Sequence, residues 1–309
     1  MQVIEGVSLS NMCDYSFGDQ ASIICSVYGG FMKLANISNI EFITKLDEIS
    51  KQRNYMTLFI DNIRLYKREI KLDIAVQKWV DDLMDQNDLL VLCSIFPKMK
   101  FIIFTNLEDT PIDSLIEGKI PKNVVSINAV NAIYNNEKVI PAPYGVQRKF
   151  HPSDNRVDII MDKINDSKLA DKLLYLNHTV GTNAEGRKGI NELFINKSWA
   201  TVNSGKIDYN SFLSCIKEHK FMLCPIGNAI DCHRNWEVLY MKRVPIMEKN
   251  DYLEELFKDY PILFVESYSD ITEELLIENE NLYLEALNIN LDKLDLNTFF
   301  QNCLIKIKN

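Results

Sequence analysis

The chain has 309 residues, 47% of them hydrophobic and 25% charged, with a formal net charge of −9. That length suits two domains of about 150 residues, each able to bury a core without disulfide or metal staples. The acidic balance argues against nonspecific phosphate-backbone binding as the main source of affinity, and no apolar run approaches the ~18 residues of a membrane span.

In chain order, the opening segment MQVIEGVSLSNMCDYSFGDQ lacks the basic start and apolar stretch of a signal peptide, so the expected compartment is the cytoplasm. Short apolar runs then alternate with amphipathic stretches, the pattern of α/β layers. The first half predicts strands at 22–28, 55–63, 89–94, 100–105 and 124–129, and helices over 41–51, 73–84 and 112–117. Pro141, Pro143, Gly145 and Pro152 then cluster in VIPAPYGVQRKFHP. Proline removes backbone donors and stiffens a connection, which predicts a border between a domain at 1–145 and one at 146–309. The second half predicts helices over 158–172, 187–199, 209–219, 233–242 and 252–258. Its strands fall at 173–177, 221–225, 244–247 and 262–265, and a helical pattern runs from 271 onward. The last helix is expected to pack back on the N-terminal domain.

The seven cysteines are scattered through mostly apolar segments and form no C-x-x-C pair, so they read as small core residues.

The most informative stretch is 221–247, FMLCPIGNAIDCHRNWEVLYMKRVPIM. An apolar strand reaches Pro225, and Gly227 with Asn228 suggests a tight turn using positive φ angles. Asp231 stands where an N-cap is expected, and the helix carrying Arg234 and Glu237 follows. These two lie three apart and share one helical face near its start. A helix N-terminus offers unpaired N–H groups and a positive dipole end, both suited to a diphosphate. An arginine adds a planar fork for phosphate oxygens, and a glutamate one turn in can accept from ribose hydroxyls.

The spacing P-x-G-x-x-x-D-x-H-R-x-W-E, met here by Pro225, Gly227, Asp231, His233, Arg234, Trp236 and Glu237 and followed by Pro245 and Ile246, resembles the donor-binding segment of exostosin-like and related polysaccharide glycosyltransferases of the GT-B fold. The resemblance extends downstream to LFVESYSDITEELL, with Tyr268 where tryptophan is commoner, and upstream to LLYLNHTVGTNAEGRKGINELF. It spans roughly residues 173 to 276. It implies an α/β protein of two Rossmann-like domains, with mostly parallel sheets facing across a cleft. It also implies a donor site made by Arg187, Gly227, Asn228, Asp231, His233, Arg234 and Glu237, with Asn177, His178 and Thr182 as further loop candidates.

Transfer with inversion requires a base on the acceptor hydroxyl. Asp14 and Asp19, around the loop in SNMCDYSFGDQ, are the candidates, though turn chemistry explains both equally well; Glu108 and Asp109 in FTNLEDTPID are rivals, and Asp109 alone could be a cap. No D-x-D motif occurs, so no metal is expected, and a nucleoside-diphosphate sugar (UDP-linked by plausibility) is a co-substrate rather than a cofactor. The expected acceptor is a surface glycan or lipopolysaccharide. The alternatives are 5-hydroxymethylcytosine in DNA, as for phage enzymes of similar architecture, and a nucleotide-binding protein without catalysis. A dehydrogenase would want G-x-G-x-x-G after an early strand, and only Gly29–Gly30 is there.

Overall fold

The computed structural model describes residues 1–4, 6–17, 39–60, 89–106, 109–134, 136–146, 156–166 and 168–305. The expected strand at 22–28 and helix at 73–84 lie outside them. The chain forms two compact units. One comprises Gly6–Pro143 with Phe299–Asn309, the other Met1–Glu5 with Tyr144–Thr298.

In the first unit, α1 (Gly6–Met12) leads to β1 (Tyr15–Ser16), α2 (Asn39–Ser50), β2 (Tyr55–Ile60), α3 (Leu89–Ser94), β3 (Lys100–Thr105), β4 (Val124–Ala129) and β5 (Val139–Pro141). The strands form one parallel sheet in the order β1-β2-β3-β4-β5. Central β3, KFIIFT, is buried at every position after Lys100, as expected of a strand covered on both faces. Phe300 stacks on Phe104 with ring centroids 5.0 Å apart, which ties the chain's last described segment to this sheet.

Two expectations fail here. The run LLVLCS at 89–94 is helical, not extended; five consecutive apolar residues carry no period that separates a buried strand from a buried helix. Asn123 settles the outcome from a distance, because its amide donates to the carbonyls of Cys93 (2.8 Å), Phe96 (3.0 Å) and Met99 (3.0 Å) around the end of α3. The helix expected over 112–117 shrinks to a 3₁₀ turn, Ser114–Ile116, because Ile112 pairs in parallel with Ala132 and Asp113 caps the Leu115 N–H.

The second unit runs α4 (Arg156–Ile164), β6 (Lys172–Leu176), α5 (Ala184–Arg187), α6 (Ile190–Phe194), β7 (Ala200–Val202), α7 (Tyr209–Glu218), β8 (His219–Leu223), α8 (His233–Tyr240), β9 (Val244–Glu248), α9 (Asp251–Phe257), β10 (Leu263–Val265), α10 (Glu273–Glu278) and α11 (Glu280–Leu287), while α12 (Leu296–Ile305) begins here and from Phe299 onward belongs to the first unit. All its strands are parallel, in the order β10-β9-β8-β6-β7. The core on this sheet includes Leu174, Leu176, Phe221, Leu223, Val244 and Ile246. The order reverses between β6 and β8, so the connections leaving their carboxyl ends diverge to opposite sides. Open α/β sheets bind ligands at such a point. The segment Met1–Ile4 belongs to this unit: Ile4 N–H donates to the Tyr240 hydroxyl (2.8 Å), and Gln2 N–H to the Asp295 carboxylate (2.6 Å).

The helix expected over 158–172 stops at Ile164, where the buried Lys217 ammonium caps the carbonyls of Lys163 and Asp166. The one expected over 187–199 breaks at Gly189, whose φ of +83° is left-handed and natural for glycine. Among the described residues, no helix is long and apolar enough to cross a membrane.

Candidate functional site

The site gathers where β6 and β8 diverge. From β8 the chain passes Cys224 and Pro225 into the turn 225–231. Gly227 is needed there for space rather than for a left-handed φ: its φ is not positive, and a Cβ would stand 3.3 Å from an Arg187 terminal nitrogen. Asn228 is exposed on the same turn and is not left-handed either.

Arg187, at the end of α5, is 3% exposed and clamps this turn to the loop after β6. It donates from Nε to the Ile226 carbonyl (2.7 Å), from Nη2 to Pro225 (2.9 Å) and from Nη1 to Thr179 (3.0 Å). Three of its five donors therefore hold backbone. Asn183, the N-cap of α5, adds a bond to the Gly227 carbonyl at 3.0 Å. Lysine cannot reproduce a planar fork. Arg187→Lys is expected to lower stability by about 1–2 kcal/mol, read as a lower urea midpoint; an unchanged midpoint would mean the turn does not depend on the clamp.

Asp231 is not the N-cap. That position belongs to Cys232, whose side chain makes no capping bond. Asp231 is instead fully buried, and its carboxylate accepts from the Tyr144 N–H (2.8 Å), Trp236 Nε1 (2.8 Å) and Asn235 Nδ2 (3.0 Å). Burial pushes its carboxyl up to about 7, against the pull of those donors. His233 likewise turns to the backbone: its Nδ1 bonds the Gly145 carbonyl at 2.8 Å, and its ring stacks on Tyr144 at 4.4 Å. Gly145 itself is left-handed (φ +73°), and a Cβ there would lie 2.2 Å from the Ile4 carbonyl oxygen.

Arg234 and Glu237 remain on the first turns of α8. Neither Arg234 nor Arg187 makes an ion pair among the described residues, and Arg234 Nε is buried without a hydrogen-bond partner. Burial first, and then the nearby Arg234 charge, depress Arg187. Glu237 is buried and accepts from the Tyr209 hydroxyl at 2.9 Å; burial raises its carboxyl, opposed by that bond and by Arg234 and Arg156. The Arg156 guanidinium lies over the Tyr209 ring at 5.1 Å. In the loop after β6, His178 is 5% exposed and faces the charges of Arg234 and Arg187. Asn177 ties that loop to the one after β7 through the Asn203 carbonyl (3.2 Å), while Thr182 is exposed. Tyr209 and Asn183 were not singled out from sequence, since their partners lie 28 and 44 residues away.

The expected catalytic pair fares differently. Asp14 belongs to the other unit, where it is ion-paired with Arg53 and accepts from the Thr57 amide and hydroxyl, each at 2.8 Å. Those contacts brace the start of β1 against β2. Asp19 and the rival Glu108 lie outside the described residues, and the Asp109 carbonyl accepts from the Asn131 side chain at 3.4 Å. Among the described residues no three His, Cys, Asp or Glu side chains converge as a metal site.

No family model and no curated protein matches the chain. Among solved structures, a DNA-modifying β-glucosyltransferase, determined in the presence and absence of uridine diphosphoglucose, is similar over 88% of this chain and 76% of that one, with 11% identity and a TM-score of 0.31.

Proposed function

We infer that the chain is a glycosyltransferase of the GT-B kind, which holds a nucleoside-diphosphate sugar at the start of α8 and transfers the sugar to a hydroxyl acceptor. One observation carries the reading: at the reversal point of a parallel sheet, two arginines without ion-pair partners among the described residues, one of them on the first turn of α8, are close enough for the charge of Arg234 to depress Arg187. Uncompensated cationic groups in a half-buried place are electrostatically costly unless an anion visits them. A diphosphate supplies that charge, and Arg234 with the α8 dipole would stabilise it as the leaving group. Glu237, one turn further in, is the partner for ribose hydroxyls. The D-x-H-R-x-W-E spacing adds support, although Asp231 and His233 within it brace the backbone.

The acceptor we favour is a surface glycan or lipopolysaccharide. DNA carrying 5-hydroxymethylcytosine is the alternative, less favoured by a net charge of −9. A thermal-shift screen of UDP, GDP, ADP and their sugars tests the donor. A ligand present at a hundred times its Kd stabilises by about 2.7 kcal/mol. A raised transition with at least one nucleotide sugar is expected, and none with any of them would end this reading. Incubating the selected donor with each acceptor then identifies the product by mass.

A further inference from the structure

Two histidines of this unit are almost equally buried, His178 at 5% and His219 at 1% exposure, yet the fold treats them in opposite ways. His219 is fully satisfied: Nδ1 bonds the Cys215 carbonyl at 2.7 Å, Nε2 bonds the Thr201 hydroxyl at 2.8 Å, and the ring stacks on Tyr175. Among the described residues His178 has a partner on neither ring nitrogen. Buried polar atoms are nearly always paired, so two orphans on one ring need an explanation. The residue following it is pinned by Arg187, and the charged groups acting on its ring are Arg234 of α8 and Arg187 of α5.

We propose that His178 is a proton-switched third contact of the anion site, neutral when the site is empty and imidazolium when a diphosphate is bound. This rests on the donor-site reading above. Burial first, then Arg234 and Arg187, hold the imidazole down at about 4 in the empty site. A bound diphosphate reverses two of those influences, since it neutralises the arginines and brings acceptor oxygens that the chain itself does not offer. The ring takes a proton from solvent and donates a charge-assisted bond to the ligand. No bond to carbon or phosphorus changes in this step. By linkage, a site that gains a proton on binding holds its ligand more tightly as pH falls.

The chain has four histidines, so their ring C–H signals are resolvable by NMR. Titrated on the whole wild-type chain, the His178 signal should change only below about pH 5 without ligand, and at least about two units higher with saturating inorganic pyrophosphate. Calorimetry near pH 6 in two buffers of different ionisation heat should show net proton uptake that is smaller in His178→Gln. Between pH 7.5 and 5.5, pyrophosphate affinity should rise at least about threefold more in the parent than in that variant. Pyrophosphate binding that leaves the His178 titration unmoved overturns the proposal, and the wild-type titration needs no variant to fold. Proton-linked pyrophosphate binding with no response to any nucleotide sugar would sustain the proposal and remove the donor reading. If neither pyrophosphate nor a nucleotide binds, both fall.

Discussion

Asp231→Ala is expected to destabilise the unit formed by Met1–Glu5 and Tyr144–Thr298 by about 3 kcal/mol. The carboxylate is the acceptor for three buried donors: the Tyr144 amide, the Trp236 indole and the Asn235 side chain. Alanine leaves all three unpaired, at roughly 1–3 kcal/mol each, offset in part because a buried charge disappears. The two tryptophans of this unit, Trp199 and Trp236, report its urea unfolding by fluorescence. The pH dependence has a definite sign. In the fold the carboxyl sits at about 7, against an ordinary value of 3.8. Below about 4 both folded and unfolded chains hold the proton, and the contribution is complete. Between about 4 and 7 only the fold retains it, so stability falls as pH rises, and above 7 it levels off. The variant lacks this slope. The gap between parent and Asp231→Ala should therefore be wider at pH 5 than at pH 8; a gap that grows with pH would contradict the assignment.

Arg234→Ala should do the reverse: leave stability intact and remove binding. Loss of a guanidinium that holds a phosphate oxygen costs roughly 1.5–3 kcal/mol, which is about 10- to 150-fold in the Kd for UDP. The fold should lose nothing measurable. Arg234 has no ion-pair partner among the described residues, its Nε is unsatisfied, and its charge opposes Arg187 and His178. Removing it relieves that repulsion and gives up its attraction for Glu237, so the urea midpoint should hold roughly steady, the usual signature of a group retained for function. A fall of more than about 1 kcal/mol would place Arg234 among the structural clamps instead. Paired with Arg187→Lys, whose effect is on stability, the experiment separates the two arginines that the sequence treats alike.

The contrast explains what the sequence conveys and what it does not. Strands β3 and β4 were legible to the residue, because continuous runs such as KFIIFT bounded by polar turns admit few other readings. The run LLVLCS was not, since its helical state depends on Asn123, some thirty residues later. At the candidate site, the chemistry of Arg234 and Glu237 follows from their spacing and the helix they start. The roles of Arg187 and Asp231 do not. They are set by carbonyls 38 and 39 residues away, and by an amide 87 residues away. Both residues looked like ligand contacts only because their protein partners cannot be seen in a local window.

Both units are closed by pieces from opposite ends of the chain. Residues 1–4 find Asp295 only 293 positions later, and Phe104 finds Phe300. At a synthesis rate of about 5–20 residues per second, the Gln2 amide waits roughly 15–60 s for Asp295. Neither unit has all of its residues until the chain has passed Asp295. A nascent chain stalled near residue 290 holds every strand of both sheets but lacks Asp295 and α12, so the Gln2 amide and the Phe104 ring still await their partners.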